Sequence, residues 1–167
     1  MGEFTLTRVD ERLAHGVVTS QWIPFSGAKQ CICIDDKAAA DPFLVMIHAA
    51  SVKPGIVMET ISFAEAIERN EKGTLIKGDK AFLLFRTIEN AEKAYDAGIK
   101  FPNLQVGNTY IAEGKYQVAP TLYLSQEQVG IVKKLEGEGV DVYYRATPNQ
   151  DRYEIENLVR KSRELEW

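Results

Sequence analysis

The chain has 167 residues, enough for one domain with a single proper core, and 24 acidic against 20 basic side chains give a formal net charge of −4. That balance speaks against a general nucleic-acid surface. No apolar run approaches the roughly 20 residues that cross a bilayer, and no basic leader precedes the first strand pattern, so a cytoplasmic protein is expected.

In chain order, Phe4, Leu6 and Val9, with the β-favouring Thr5 and Thr7, predict a buried first strand. The charged run through Asp10, Glu11, Arg12 and His15 cannot extend it. Gly16 opens an apolar stretch from Val17 to Ile23, closed by Pro24, which predicts a helix whose first turn sits beside His15. Cys31-Ile32-Cys33-Ile34 predicts a fully buried strand with both thiols on one face. Buried, reduced thiols fit that pattern better than a metal site or a disulfide.

Asp35-Asp36 ends this strand. Asp41-Pro42 reads as an N-cap with proline at the first helical position, and the helix should carry Phe43, Leu44, Met46, Ile47 and Ala50 inward. Pro54-Gly55 breaks it before a third strand, Ile56 to Met58 with Ile61. Ser62-Phe63-Ala64-Glu65 is a capping-box pattern that starts a helix toward Gly73. Ala81 to Phe85 is the strongest buried-strand pattern. Thr87 caps the next helix, with Ile88, Ala91, Ala94 and Tyr95 at helical spacing and Gly98 as its stop.

Leu104 to Val106 predicts a strand ending at Gly107-Asn108, and Thr121 to Leu124 another. Ser125 to Gln128 forms a second capping box, for a helix lined by Val129, Val132 and Leu135. Val140 to Tyr144 is a last strand. A final helix should begin near Asp151 and bury Ile155, Leu158, Val159 and Leu165. About seven strands interleaved with about six helices predict an α/β fold, a mostly parallel, doubly wound sheet with helices on both faces, in one domain spanning residues 1–167.

Such sheets bind ligands beyond the carboxyl ends of their strands. The exits carry Asp10, Arg12 and His15, then Asp35 and Asp36, Arg86 and Thr87, and Gly107 and Asn108. Several chemistries fail at this point. Gly114-Lys115 lacks the rest of a P-loop, with Thr109 where the first glycine belongs and Tyr116 where Ser or Thr is required. No G-x-G-x-x-G follows the first strand, and His15 and His48 are too few for a metal centre. His48, on an apolar helix, reads as a structural or surface histidine.

His15 is different because of its setting. A neutral imidazole offers a nucleophilic nitrogen near pH 7. Arg12 can hold a phosphoryl group through forked hydrogen bonds, and backbone N–H groups of Gly16, Val17 and Val18 at a helix start can complete an anion cradle. These features favour phosphorylation of His15. From the residues alone, an ordinary loop histidine beside surface charges is an equal alternative.

The run Arg8-Val9-Asp10-Glu11-Arg12-Leu13-Ala14-His15-Gly16-Val17-Val18 resembles the R-(I/V)-D-(D/E/N)-R-L-x-H-G-Q-V segment of IIB components in the mannose-type family of the bacterial sugar phosphotransferase system. The resemblance continues through Trp22, Asp35 to Asp41, Leu84 to Thr87, Val106 to Asn108 and Gly114 to Val118, so it covers essentially the whole chain. It implies a mostly parallel seven-stranded sheet with helices on both faces. It also implies that His15 takes a phosphoryl group from a phosphohistidine on a IIA partner, which would be a separate polypeptide. His15 would then pass it to a sugar bound by a membrane IIC–IID complex, at the inner face of the membrane. Neither nucleotide, metal nor other cofactor is implied.

Ala14, Val17 and Thr109 depart from the family pattern without removing a reactive group, and Pro42-Phe43-Leu44 lacks basic residues that many relatives carry there. Glu11, Gln21-Trp22 and Phe25 to Ala28 look most like the galactosamine and N-acetylgalactosamine branch. Asp10, Asp35, Asp36 and Asp41 would repel a phosphoryl dianion, so some should be tied up structurally. Asp10 would orient Arg12 or His15, and Asp41 would cap its helix. The remaining negative field, from Asp35 and Asp36, would keep the phosphohistidine reactive. An acid–base enzyme acting on a sugar phosphate, or a non-transporting sensor of phosphorylation state, are the other functional classes. Self-association stays open.

Overall fold

The structure, a computed structural model, describes residues 2–167. Among the described residues, nine strands and seven α-helices follow one another. They are β1 (Glu3–Asp10), α1 (Ile23–Ser26), β2 (Gln30–Ile34), α2 (Asp36–Ala39), α3 (Pro42–Ala50), β3 (Val57–Ile61), α4 (Phe63–Glu71), β4 (Lys80–Phe85) and α5 (Ile88–Asp96). Then come β5 (Asn103–Asn108), β6 (Tyr116–Ala119), β7 (Leu122–Leu124), α6 (Gln126–Gly137), β8 (Asp141–Tyr144), β9 (Tyr153–Glu154) and α7 (Ile155–Lys161). Among the described residues, no helix is long and apolar enough to cross a membrane.

The main sheet has seven strands in the order β3-β2-β4-β1-β5-β8-β9. All neighbours are parallel except β9, which runs antiparallel to β8. The expected mostly parallel sheet of seven strands is therefore present, with β1 at its centre. Strand period two divides the core between the faces. On one face Val9, Ile32, Ile34, Leu83, Phe85 and Val106 meet residues of α4 to α7. On the other, Leu6, Cys31, Cys33, Phe82 and Leu84 meet Leu13, Val18, Trp22 and Ile23.

Four sequence expectations need correction. The segment expected from Thr121 to Leu124 does not join the main sheet; β7 pairs with β6 as a separate antiparallel hairpin. The seventh strand is the two-residue β9 instead. That strand also explains why the last helix begins at Ile155 and not near Asp151: Tyr153 and Glu154 first extend along β8. Short apolar runs show that a segment is extended but not which edge it joins.

Most of the expected inward face of α3 is outside, although Leu44 is partly buried against the core. Phe43, Met46 and Ile47 are 63%, 60% and 42% exposed, while His48 is buried and bonds Thr60 Oγ1 through Nδ1 at 2.8 Å. Residues 43–47 are all apolar, so the pattern marks no single face, and the Thr60 partner decides which side turns inward. Burial, reinforced by the positive charge of Arg86, pushes the His48 imidazole below its usual value, as suits a neutral structural histidine.

Pro24 does not close the helix after His15. The helix runs on to Ser26 through a π-turn at Val18–Trp22, in which Ile23 N–H donates to the carbonyl of Val18. The wider turn shifts the hydrogen-bond register just ahead of the proline, whose ring would otherwise crowd the preceding carbonyls. Gly27, at φ +75°, ends the segment.

Both cysteines are buried and free, and burial pushes both thiols far above their usual value. The thiolate is the reactive form. Neither Cys31 nor Cys33 should therefore be alkylated by a maleimide in the folded protein at pH 8, and both should react in denaturant. Native labelling at the rate of a free thiol would contradict this packing.

Candidate functional site

The exit of β1 is folded back by its own side chains. Asp10 Oδ1 accepts the Arg12 amide at 3.1 Å, and the Asp10 carbonyl accepts the Leu13 amide at 2.9 Å, closing a turn. Leu13 adopts φ +54°, a left-handed conformation unusual for leucine, and buries its side chain beside Val18 and Trp22. The reversal returns His15 to Asp10, with Nε2 2.8 Å from Oδ2. His15 keeps its side chain 16% exposed, whereas the Asp10 carboxylate is wholly covered.

The helix starts at once. The His15 carbonyl accepts both the Thr19 amide at 2.9 Å and the Thr19 hydroxyl at 3.1 Å. Gly16, Val17 and Val18 thus supply first-turn amides that have no helical carbonyl one turn earlier, the arrangement that attracts anions. Nδ1 of His15 has no partner among the described residues. The Arg12 guanidinium is exposed and likewise meets no acceptor among them.

Arg8 is the residue that sequence reasoning overlooked. Its guanidinium is buried, bonding Asp10 Oδ2 from Nε at 3.4 Å and from Nη2 at 3.2 Å. It also donates to Gln105 Oε1 at 2.5 Å and to the carbonyls of Arg145 and Ala146 at 3.0 and 3.1 Å. Burial pulls this guanidinium below its usual range, while the Asp10 carboxylate pulls it back up. The signal was present: strand alternation puts Leu6, Arg8 and Asp10 on one face, and a cation inside a core strand needs a partner. Trp22 lies against Arg8, with the ring centroid 5.2 Å away, and its indole N–H donates to the Ala146 carbonyl at 3.0 Å.

The other sequence candidates sort into two groups. Gly107 and Asn108 end β5 beside β1. A Cβ on Gly107 would stand 1.9 Å from Arg8 Cζ, so glycine is required there, and the Asn108 carbonyl accepts the Glu11 amide at 3.0 Å. Arg86 does not reach His15; it clamps Asp35 through two bonds of 3.0 and 2.8 Å. Asp36 accepts the Phe63 amide at 2.9 Å and so fastens α4, and Asp41 caps α3 at the Phe43 amide, 3.0 Å away. The expected negative field is corrected for Asp35, which Arg86 pairs, whereas Asp36 meets only a backbone amide and no cation among the described residues. Glu11, unassigned from sequence, accepts the Tyr110 amide and lies 3.5 Å from Lys115 Nζ.

Cavities of about 480 and 410 Å³ lie elsewhere. One is lined by Lys29, Val57 and Lys77, the other by Tyr144, Asn149 and Tyr153, and His15 lines neither. Among the described residues no three His, Cys, Asp or Glu side chains gather as metal ligands. What the arrangement offers is a partly exposed imidazole, one nitrogen fixed by a buried carboxylate, at a helix start.

Comparison with known proteins gives consistent relatives. The family described as PTS system sorbose subfamily IIB component matches residues 4–166. The N-acetylgalactosamine-specific phosphotransferase enzyme IIB component 1 of Escherichia coli is 29% identical over 155 residues, covering 90% of this chain and 94% of that protein. The mannose-specific EIIAB component of Escherichia coli is 25% identical over 93% of this chain, which spans only 48% of that longer protein. In three dimensions the chain is similar to the IIBSor domain of the sorbose permease from Klebsiella pneumoniae. The TM-score is 0.87 at 21% identity, covering 96% of this chain and 98% of that one, a likeness of fold.

Two outcomes follow from the contacts. Gly107→Ala should lower the unfolding free energy in urea by about 1–3 kcal/mol, the scale of overpacking. Gly130→Ala on α6, where an added Cβ meets nothing within 4 Å, should be neutral or stabilising. Burial alone would push the Asp35 carboxyl up, but the Arg86 guanidinium and the Ala38 amide hold it below the usual carboxylate range. A depressed value stabilises the fold above the ordinary aspartate value of about 3.9 and ceases to as pH falls through the lower folded value. The stability difference between wild type and Asp35→Asn should therefore hold steady at neutral pH and shrink below about pH 4; a constant difference down to full acid unfolding would contradict the pair.

Proposed function

The chain belongs to the sorbose subfamily of IIB components of the sugar phosphotransferase system, and on that premise we propose that it carries a phosphoryl group on Nδ1 of His15. The group would come from a phosphohistidine on a IIA partner and leave for a sugar held by a membrane IIC–IID complex. An amino sugar of the N-acetylgalactosamine type is the proposed acceptor, in keeping with the relative that is 29% identical. The proposed setting is cytoplasmic, at the inner face of the membrane, with residues 1–167 acting as one IIB domain.

The observation that carries this reading is the division of labour on the imidazole ring. Asp10 Oδ2 holds Nε2 at 2.8 Å, so the neutral ring keeps its proton there and presents the Nδ1 lone pair. In transfer, Nδ1 forms a bond to phosphorus as the donor's N–P bond breaks and its electron pair returns to the donor ring. The product ring, still protonated at Nε2, carries positive charge that the Asp10 carboxylate balances. The first-turn amides of Gly16, Val17 and Val18 and the Arg12 guanidinium would receive the phosphoryl oxygens, by charge-assisted bonds and the positive end of the helix. In onward transfer the sugar hydroxyl oxygen bonds phosphorus as the Nδ1–P bond breaks, and the electron pair stays on the His15 ring. The hydroxyl proton passes to a base at the sugar site of the membrane complex or to water. Positioning and electrostatics dominate such reactions.

The test is phosphoryl transfer from labelled phosphoenolpyruvate through the general phosphotransferase proteins and a cognate IIA. Wild type should acquire acid-labile label, His15→Ala should acquire none, and Asp10→Asn should label on the order of 10²-fold more slowly or worse, the scale of losing an imidazole-orienting carboxylate. Equal labelling of wild type and His15→Ala would exclude His15 as the acceptor. Transfer onward to N-acetylgalactosamine in vesicles bearing IIC–IID separates a transport component from a sensor.

A further inference from the structure

Asp10 presents an electrostatic problem that the fold must solve. Its carboxylate is fully buried, and an ionised carboxylate in that position needs an opposite charge close by. A neutral imidazole N–H and one amide do not provide that charge. If Asp10 instead held a proton, it would donate to Nε2 of His15. The ring proton would then sit on Nδ1 and mask the nitrogen that must attack phosphorus.

We infer that Arg8 is the positioning residue of this site: it keeps Asp10 ionised and aimed, and thereby fixes the His15 ring in the form with its proton on Nε2 and Nδ1 open. The inference deepens the reading of His15 as phosphoryl acceptor and rests on it. A guanidinium has five N–H groups, and the structure provides five acceptor contacts: two to Asp10 Oδ2 and one each to Gln105 Oε1 and the carbonyls of Arg145 and Ala146. The missing Cβ of Gly107 makes room for it, and Trp22 covers it. Trp22 donates to the same Ala146 carbonyl, so the helix that begins after His15 is tied back to the exit of β8 through the group that holds Asp10.

Lysine cannot reproduce this seat. Its single ammonium has three donors from one atom, against acceptors spread around a planar fork. Arg8 touches neither Nδ1 nor the place of the phosphoryl group; it acts through Asp10.

The experiment is NMR of the full chain with ¹⁵N-labelled histidine, recording the two ring nitrogens of His15 across neutral pH. Phosphoryl uptake from IIA is measured in parallel. Wild type should show one dominant form, protonated at Nε2. Folded Arg8→Lys should show the Nδ1–H form rising, with kcat for uptake falling about tenfold or more, the scale for losing a group that orients a reactive side chain. KM for IIA should stay within about twofold, since the docking surface is untouched. Should Arg8→Lys fail to fold, the near-isosteric Gln105→Glu serves: a second carboxylate at Nη1 draws Arg8 from Asp10 and should move the ring nitrogens the same way. Unchanged nitrogen shifts in a folded variant of either kind overturn the inference. Because the ring form is read without any phosphate, a wild type that takes up no phosphoryl group would refute only the carrier reading, and the shifts would still judge Arg8.

Discussion

A buried ion pair at the end of the central strand is the constraint around which the carboxyl edge of this protein is arranged. Asp10 and Arg8 stand two residues apart on β1, on the same face and shielded from water. A charge in that position is tolerable only when paired and hydrogen-bonded on all sides. The satisfaction comes from three other parts of the chain: Gln105 on β5, the carbonyls after β8, and the turn that carries Arg12 and His15. Gly107 and Trp22 are explained by the same group, one by the space it leaves and the other by the face it presents.

The surrounding acids follow a complementary logic. The structure gives each of them a local task. Asp35 is clamped by Arg86, Asp36 and Asp41 hold the starts of α4 and α3, and Glu11 meets Lys115 and the Tyr110 amide. Among the described residues the Arg12 guanidinium, three positions before His15, and the first-turn amides after it meet no acceptor. The electrostatics of the edge depend less on how many acids are present than on which are neutralised by a partner.

The backbone makes this arrangement possible by departing from regularity in two places. Leu13 takes a left-handed conformation to bring His15 back over Asp10, held there by burial of its side chain. A π-turn then carries the helix past Pro24 and sets Trp22 against Arg8. Both irregularities flank His15, where strain is retained because neighbouring contacts over-determine it.

Much of the molecule is legible in its residues because local periodicity and capping record burial and element ends directly. The strands from β1 to β5 and β8, the caps at Asp41, Ser62, Thr87 and Ser125, and the gathering of Asp10, Arg12 and His15 in one loop all follow from neighbours in sequence. Periodicity records that a residue is buried, not what it meets. The outward face of α3, the exchange of β7 for β9 in the main sheet, the pairing of Arg86 with Asp35 and the open ring nitrogen of His15 were therefore decided only in three dimensions. The partners of Arg8 lie as far as 138 residues away, and no short-range pattern can encode such a contact. The sequence by itself determined that a histidine would stand at a strand exit before a helix. Tertiary structure decided which of its nitrogens is held, because the carboxylate that holds it is anchored through Arg8, whose other contacts only the closed sheet brings together.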